Sequence, residues 1–194
     1  DGMEIKAERK TILEQHKIPF EEKGHQLERL VACDIIIKSP GIANTSEILL
    51  ALTDAGKEII GEIEWAYRNA NGKIIGITGS NGKTTTTGLC HHFLQAAGMD
   101  AAKVGNVGEG FCHFLAEHNA AWYVCELSSF QLEDVETFRP HIGILLNITP
   151  DHLDRYEYSL DKYADAKMRM MRNMTEEDTL IYNAMDPVTV AKVI

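Results

Sequence analysis

The passage from Lys73 to Ala97 constrains this chain more than any other. An apolar run, Lys73-Ile74-Ile75-Gly76-Ile77-Thr78, gives way to Gly79-Ser80-Asn81-Gly82, and a segment opening on Lys83-Thr84-Thr85 follows. The apolar run reads as a buried strand, the glycines as a turn, and Lys83 to Ala97 as a helix. Glycine permits backbone conformations and close approach that a side chain blocks. The N–H groups of the turn and of the helix start are then free to cradle phosphate oxygens. In such a loop Lys83 reaches the outer phosphates, and the Thr84 hydroxyl ligates Mg²⁺. The common spacing G-x-x-x-x-G-K-[ST] is not met, because it needs glycine where Ile77 stands. An ordinary strand-to-helix turn with a chance Gly-Lys-Thr is the competing reading; the full strand-loop-helix context favours phosphate.

The rest of the chain keeps the same rhythm of short apolar run, turn and amphipathic stretch. Strands are expected over 34–38, 57–63, 121–126, 141–147 and 178–182, with another segment starting at Val104 and ending in Gly105-Asn106-Val107-Gly108. Helices are expected over 46–55, 64–70, 109–118 and 159–173, and Asp186 and Pro187 open a last one as cap and first turn. Near-continuous apolar strands alternating with helices predict an α/β fold with a mainly parallel sheet flanked by helices. Asn71-Gly72 is a turn and a domain boundary, giving domains over 1–70 and 71–194. The absence of an initiator methionine and the helix just under way at Ile194 make the chain read as a piece of a longer protein.

The formal net charge of −10 argues against general nucleic-acid or anionic-membrane binding. A phosphate ligand remains compatible, since local backbone dipoles outweigh a distant acidic surface. No run of about 18 apolar residues indicates a membrane span. Cys33, Cys90, Cys112 and Cys125 form no C-x-x-C pair. They read as reduced thiols packed in helices and a strand, which fits a cytoplasmic protein; a metal site with His91, His92 and His113 is the lesser alternative.

Three further residues stand where ligands gather in an open parallel sheet, beyond the carboxyl ends of the strands. Glu126 ends an apolar strand, where an acid beside a phosphate loop suits Mg²⁺; an exposed strand-end carboxylate is the alternative. His152 follows the strand ending in Asn147-Ile148-Thr149; a lone histidine there is more often structural than catalytic. Lys167 shares a helical stripe with Leu160, Tyr163, Ala164 and Met171, so it lies on the face turned to the core or to the site. A lysine there either snorkels to water or does chemistry.

Together the loop Gly79-Ser80-Asn81-Gly82-Lys83-Thr84-Thr85, Glu126-Leu127-Ser128-Ser129-Phe130-Gln131-Leu132, Ser39-Pro40-Gly41-Ile42, Gly105-Asn106-Val107-Gly108 and the stretch from Asn147 to Tyr156 resemble the Mur ligase family. The resemblance spans about residues 33–185, and the family form G-[ST]-N-G-K-[ST] accounts for the absent glycine. It implies a Rossmann-like domain for a UDP-sugar, incomplete here, then an incomplete P-loop-type ATP domain, with the amino-acid domain absent. It implies an ATP-dependent ligase of cell-wall precursor synthesis, acting as a monomer, that joins D-glutamate to UDP-N-acetylmuramoyl-L-alanine through an acyl-phosphate. Two Mg²⁺ ions are implied, one on Thr84 and Glu126, the other on His152 and a Lys167 carbamylated by CO₂. Asn106, Ser128 and Gln131 are implied to touch or organise the sugar-nucleotide site, and Ser39 and Gly41 to lie beside the UDP group. Lys83 is the implied phosphate lysine. Another amide ligase of the family, or an ATP-binding regulatory module that joins nothing, are the rivals. The 194 residues alone are expected to have no ligase activity.

Overall fold

The computed structural model describes residues 4–194. In chain order the elements are α1 (Ala7–Gln15), α2 (Leu27–Val31), β1 (Ile35–Lys38), α3 (Glu47–Asp54), β2 (Glu58–Gly61), α4 (Glu62–Asn69), β3 (Lys73–Thr78), α5 (Lys83–Ala96), β4 (Ala101–Gly105), α6 (Phe111–Glu117), β5 (Trp122–Glu126), α7 (Ser129–Leu132), β6 (Ile142–Leu145), α8 (Leu160–Met168), β7 (Thr179–Tyr182) and α9 (Pro187–Val193). Two compact units result, one of residues up to 36 with 42–59, the other of residues 37–41 with 60–194. The first carries α1, α2 and α3. β1 and β2 form a two-stranded sheet.

The second unit is built on a five-stranded sheet of order β4-β5-β3-β6-β7, parallel throughout. β3 sits at its centre because Ile74, Ile75, Gly76 and Ile77 offer no charge to either face, and all are buried. The chain leaves β3 for β4 on one side and later adds β6 on the other. The carboxyl end of β3 is therefore the point where strand order reverses, and a crevice opens there. One face packs Ile74, Val104, Tyr123, Cys125 and Leu127 with Phe111 and Phe138; Ile75, Ile77 and Val124 lie on the other.

Several expected boundaries shift. β4 starts at Ala101 rather than Val104, because Ala101, Ala102 and Lys103 pair with Trp122, Tyr123 and Val124. α8 ends at Met168, and Arg169–Met171 tighten into a 3₁₀ turn. There Arg169 donates to the carbonyls of Leu132 and Val135. α1, α2 and the four-residue α7 had no expected counterpart. Cys33 is exposed in the bend after α2 rather than packed in an element.

Candidate functional site

The phosphate loop is held open by its own backbone and by the segment after β6. Gly82 has φ +85° and no side chain caps α5, so N–H groups of the first helical turn lack intrahelical acceptors. Gly79 has φ +152°, and a Cβ on it would stand 3.0 Å from the Leu146 Cβ. The next residues are stitched across. Ser80 N–H donates to the Asn147 carbonyl, Asn81 N–H to Asn147 Oδ1, and Asn147 Nδ2 to the Asn81 carbonyl. Ser80 Oγ donates to the Thr149 carbonyl, accepts Thr149 N–H and meets the Tyr163 hydroxyl at 3.2 Å.

Glu126 ends β5 opposite Ile77 and Gly105, with Leu127 N–H on the Ile77 carbonyl. It is 1% exposed. Asn106 holds it twice: its N–H donates to the Glu126 carbonyl and its Nδ2 to Oε1 at 2.9 Å. Oε2 is buried with no hydrogen-bond partner, a costly state for a carboxylate unless a cation completes it. The close approach of β4 requires Gly105, where φ is +100° and a Cβ would lie 2.4 Å from the Glu126 carbonyl oxygen.

Lys167 is 1% exposed, so it does not snorkel. Its Nζ donates to the Gly79 carbonyl at 2.9 Å and lies 4.5 Å from the Tyr163 ring centroid. Lys83 Nζ donates to the same carbonyl and to that of Ser80, both at 2.8 Å. Burial first, and then the charge of Lys83, lower the Lys167 pKa to about 7. His152 has φ +48°, an uncommon conformation for a residue with a side chain. Its ring packs 5.2 Å from that of Phe130, and Arg155 covers Phe130 at 4.6 Å.

A cavity of about 220 Å³ opens at this edge of the sheet. Gly41, Lys83, Asn106, Ser128, His152 and Lys167 line it, together with Pro40, Ser129, Phe130, Asp151 and Tyr163. Of these, Tyr163 shares the helical stripe of Lys167, and Phe130 and Asp151 lie within the stretches 126–132 and 147–156; pocket chemistry in them has no signature of its own. Ser39, Gly79, Ser80, Asn81, Gly82, Thr84, Thr85, Glu126 and Gln131 do not line the cavity. Gln131 is buried beneath it, where its side chain and that of Ser128 form the capping box of α7.

Oxygen ligands suit Mg²⁺, and the unpartnered Glu126 Oε2 fits that ion; Thr84, the second residue of α5, carries a hydroxyl at the end of the loop. Among the described residues no three His, Cys, Asp or Glu side chains gather as a complete metal site. Mg²⁺ characteristically takes one or two carboxylates together with substrate phosphates and water. Lys167 as an ammonium has no lone pair to offer a metal.

A glycine loop at the reversal point of a parallel sheet defines a P-loop-type α/β domain. The Mur ligase middle domain matches residues 77–193, and the MurD N-terminal domain matches residues 1–48. The chain belongs to the Mur ligase family. It is 45% identical over 188 residues to the UDP-N-acetylmuramoylalanine--D-glutamate ligase of Bacteroides fragilis, a match covering 97% of this chain and 42% of that protein. The same-named enzyme of Christiangramia forsetii is 44% identical, with 96% and 42% covered. The chain thus spans about 42% of the length of these relatives. Among solved structures, UDP-N-acetylmuramate:L-alanyl-gamma-D-glutamyl-meso-diaminopimelate ligase from Neisseria meningitides superposes with a TM-score of 0.64 at 17% identity, covering 98% of this chain and 64% of that one. MurC from Thermotoga maritima gives 0.55 at 23%, covering 97% and 44%. These likenesses show the fold. No helix among the described residues is long and apolar enough to cross a membrane.

Proposed function

We propose that this chain forms the ATP-handling part, and some of the sugar-nucleotide part, of a ligase that joins D-glutamate to UDP-N-acetylmuramoyl-L-alanine at the expense of ATP. The observation that carries the reading is that three groups stand together at the carboxyl edge of the sheet, around the end of β3. They are the open phosphate loop, Glu126 with one oxygen unpartnered, and a buried Lys167 that shares a carbonyl with Lys83. The names of relatives about 45% identical supply the substrates.

In the first step a carboxylate oxygen of the alanyl group attacks the γ-phosphorus of ATP. The bond to ADP breaks and an acyl-phosphate forms. The amine nitrogen of D-glutamate then attacks the acyl carbon, phosphate leaves, and the amine proton passes to solvent. Two anions must meet in the first step, so neutralising their charge is the main task. Lys83 exchanges its contacts with Gly79 and Ser80 for the outer phosphates. The N–H groups at the start of α5 hold the same phosphates. Asn106 keeps the Glu126 carboxylate aimed, and Thr84 and Glu126 would hold one Mg²⁺. His152 would share a second with Lys167 once the Lys167 amine has added to CO₂ and lost a proton, giving a carbamate. Bound Mg²⁺ would supply charge neutralisation at the transferring phosphoryl group. A lysine pKa near 7 supports the carbamate, because the addition requires a neutral amine. Ser39 and Gly41 flank the UDP group, and Ser128, fixed by Gln131, faces the acceptor.

Phosphate release by the full-length ligase tests this reading. ATP, Mg²⁺ and UDP-N-acetylmuramoyl-L-alanine are supplied with D-glutamate, L-glutamate, L-lysine or meso-diaminopimelate in separate wells. Release with D-glutamate alone is expected. Release with another amino acid would move the chain to a sister ligase, and none in any well would leave a nucleotide-binding module.

A further inference from the structure

The Ser39-Pro40-Gly41 turn reaches the cavity wall through Pro40 and Gly41, and the residue before it is a buried lysine. Lys38 ends β1 with its side chain 0% exposed, and its Nζ lies 2.7 Å from the carboxylate of Asp134, whose side chain is 6% exposed. Asp134 is gripped from β2 as well. Its carbonyl accepts Gly61 N–H at 3.2 Å, and a Cβ on Gly61 would stand 3.0 Å from the Asp134 Cβ.

Asp134 belongs to a segment, 132–138, on which several elements are fastened by polar contacts. Arg155 Nη2 and the Tyr156 hydroxyl donate to Glu133 at 2.8 and 2.6 Å. Arg169, just past α8, donates to the carbonyls of Leu132 and Val135. Glu64 of α4 accepts the N–H groups of Glu136, Thr137 and Phe138. The strand leading into the turn is thereby tied to the same anchor as the helix bearing Lys167 and the 3₁₀ turn beside His152. The phosphate loop is fastened separately, through Asn147 and Thr149.

A buried ion pair is not an efficient stabiliser, since apolar residues of similar volume do as well. What an ion pair adds is direction: Lys38 must extend to one place, and the backbone one residue on must follow. We propose that the Lys38–Asp134 pair is a positioning device that sets the Ser39-Pro40-Gly41 turn against the site and thereby tunes recognition of the sugar-nucleotide acceptor without acting on ATP. This rests on the ligase reading above.

The test compares the full-length ligase with Lys38→Met and with the double variant Lys38→Met/Asp134→Leu. The single variant takes the cation from a buried carboxylate and is expected to fold poorly. The double variant removes both charges and is expected to fold. In it, KM for UDP-N-acetylmuramoyl-L-alanine, and the dissociation constant of that acceptor titrated without ATP, are expected to rise roughly tenfold, while kcat and KM for ATP stay within about twofold. Amide deuterium exchange across 39–42 is expected to quicken. Acceptor binding equal to wild type, or an equal rise in KM for ATP, overturns the positioning role while leaving the ligase reading intact. A wild-type enzyme that binds no acceptor removes the ligase reading, and this proposal with it.

Discussion

Replacing Lys167 by methionine is expected to stabilise the fold at neutral pH while abolishing ligase turnover. Burial and the charge of Lys83 bring the Lys167 pKa down to about 7, from the ordinary lysine value of 10.5. Between those values the unfolded chain binds one more proton than the folded one, so this group makes stability rise with pH across that window and leaves it flat below. At pH 7 and below, the lysine therefore costs folding about 4–5 kcal/mol, at about 1.4 kcal/mol per tenfold change in proton affinity. Against that stands only what the neutral amine keeps, a hydrogen bond to the Gly79 carbonyl worth about 1 kcal/mol, because the extra attraction of the ammonium to that carbonyl and to the Tyr163 ring is already part of the folded pKa. Methionine fills much the same volume, so the variant is expected to gain about 3–4 kcal/mol at pH 7. The gain should shrink as pH rises and vanish near pH 10. The assay is urea unfolding of the full-length ligase and its variant at pH 6.5, 8 and 9.5, in degassed, bicarbonate-free buffer so that the amine stays free. A variant less stable than wild type at pH 7, or a gap that does not change with pH, would refute the reasoning.

Other expectations follow from single contacts. Glu64 is 0% exposed; burial pushes its carboxyl pKa up, but the Thr137 hydroxyl, the N–H groups of Glu136 and Thr137, and Arg68 outweigh that and hold it below 4.5. Glu64→Ala should cost about 3–5 kcal/mol in urea unfolding, and the Glu64 contribution should be present above pH 4.5 and disappear as pH falls through the lower folded value. Asn106→Ala frees Glu126 Oε1 and should raise the Mg²⁺ concentration giving half-maximal phosphate release; an unchanged Mg²⁺ dependence would deny Asn106 its hold on that carboxylate. Gly105→Ala drives a Cβ to 2.4 Å from the Glu126 carbonyl oxygen. It should lower phosphate release by about 10²-fold or more through displacement of Glu126, read in the same coupled assay.

The sheet and the loop were legible because the signals behind them are local. β3, β5 and β6 are apolar runs flanked by turns, α5 follows a glycine pair, and Asp186 caps α9 as its spacing implies, accepting Thr189 N–H. Lys167 could be assigned to the inward stripe of α8 for the same reason, since helical periodicity is settled within a few residues. Short elements were not legible. α7 has four residues and no periodicity; the capping box of Ser128 and Gln131 and burial on the sheet hold it.

The order of strands and helices along the chain, the phosphate loop and the residue types carried to the sheet's carboxyl edge are properties of local sequence. Which charges are buried, and what each one meets, follows from packing between distant segments. Along the chain Lys38 and Glu64 read as ordinary charged residues of a strand and a helix, and Lys167 as a lysine on an inward stripe with no partner indicated. Their fates depend on Asp134, on the N–H groups of 136–138 and on the Gly79 carbonyl, all distant in sequence. The physical reason is that backbone pattern is set by neighbours along the chain, whereas the cost of burying a charge is set by partners that only folding brings within reach.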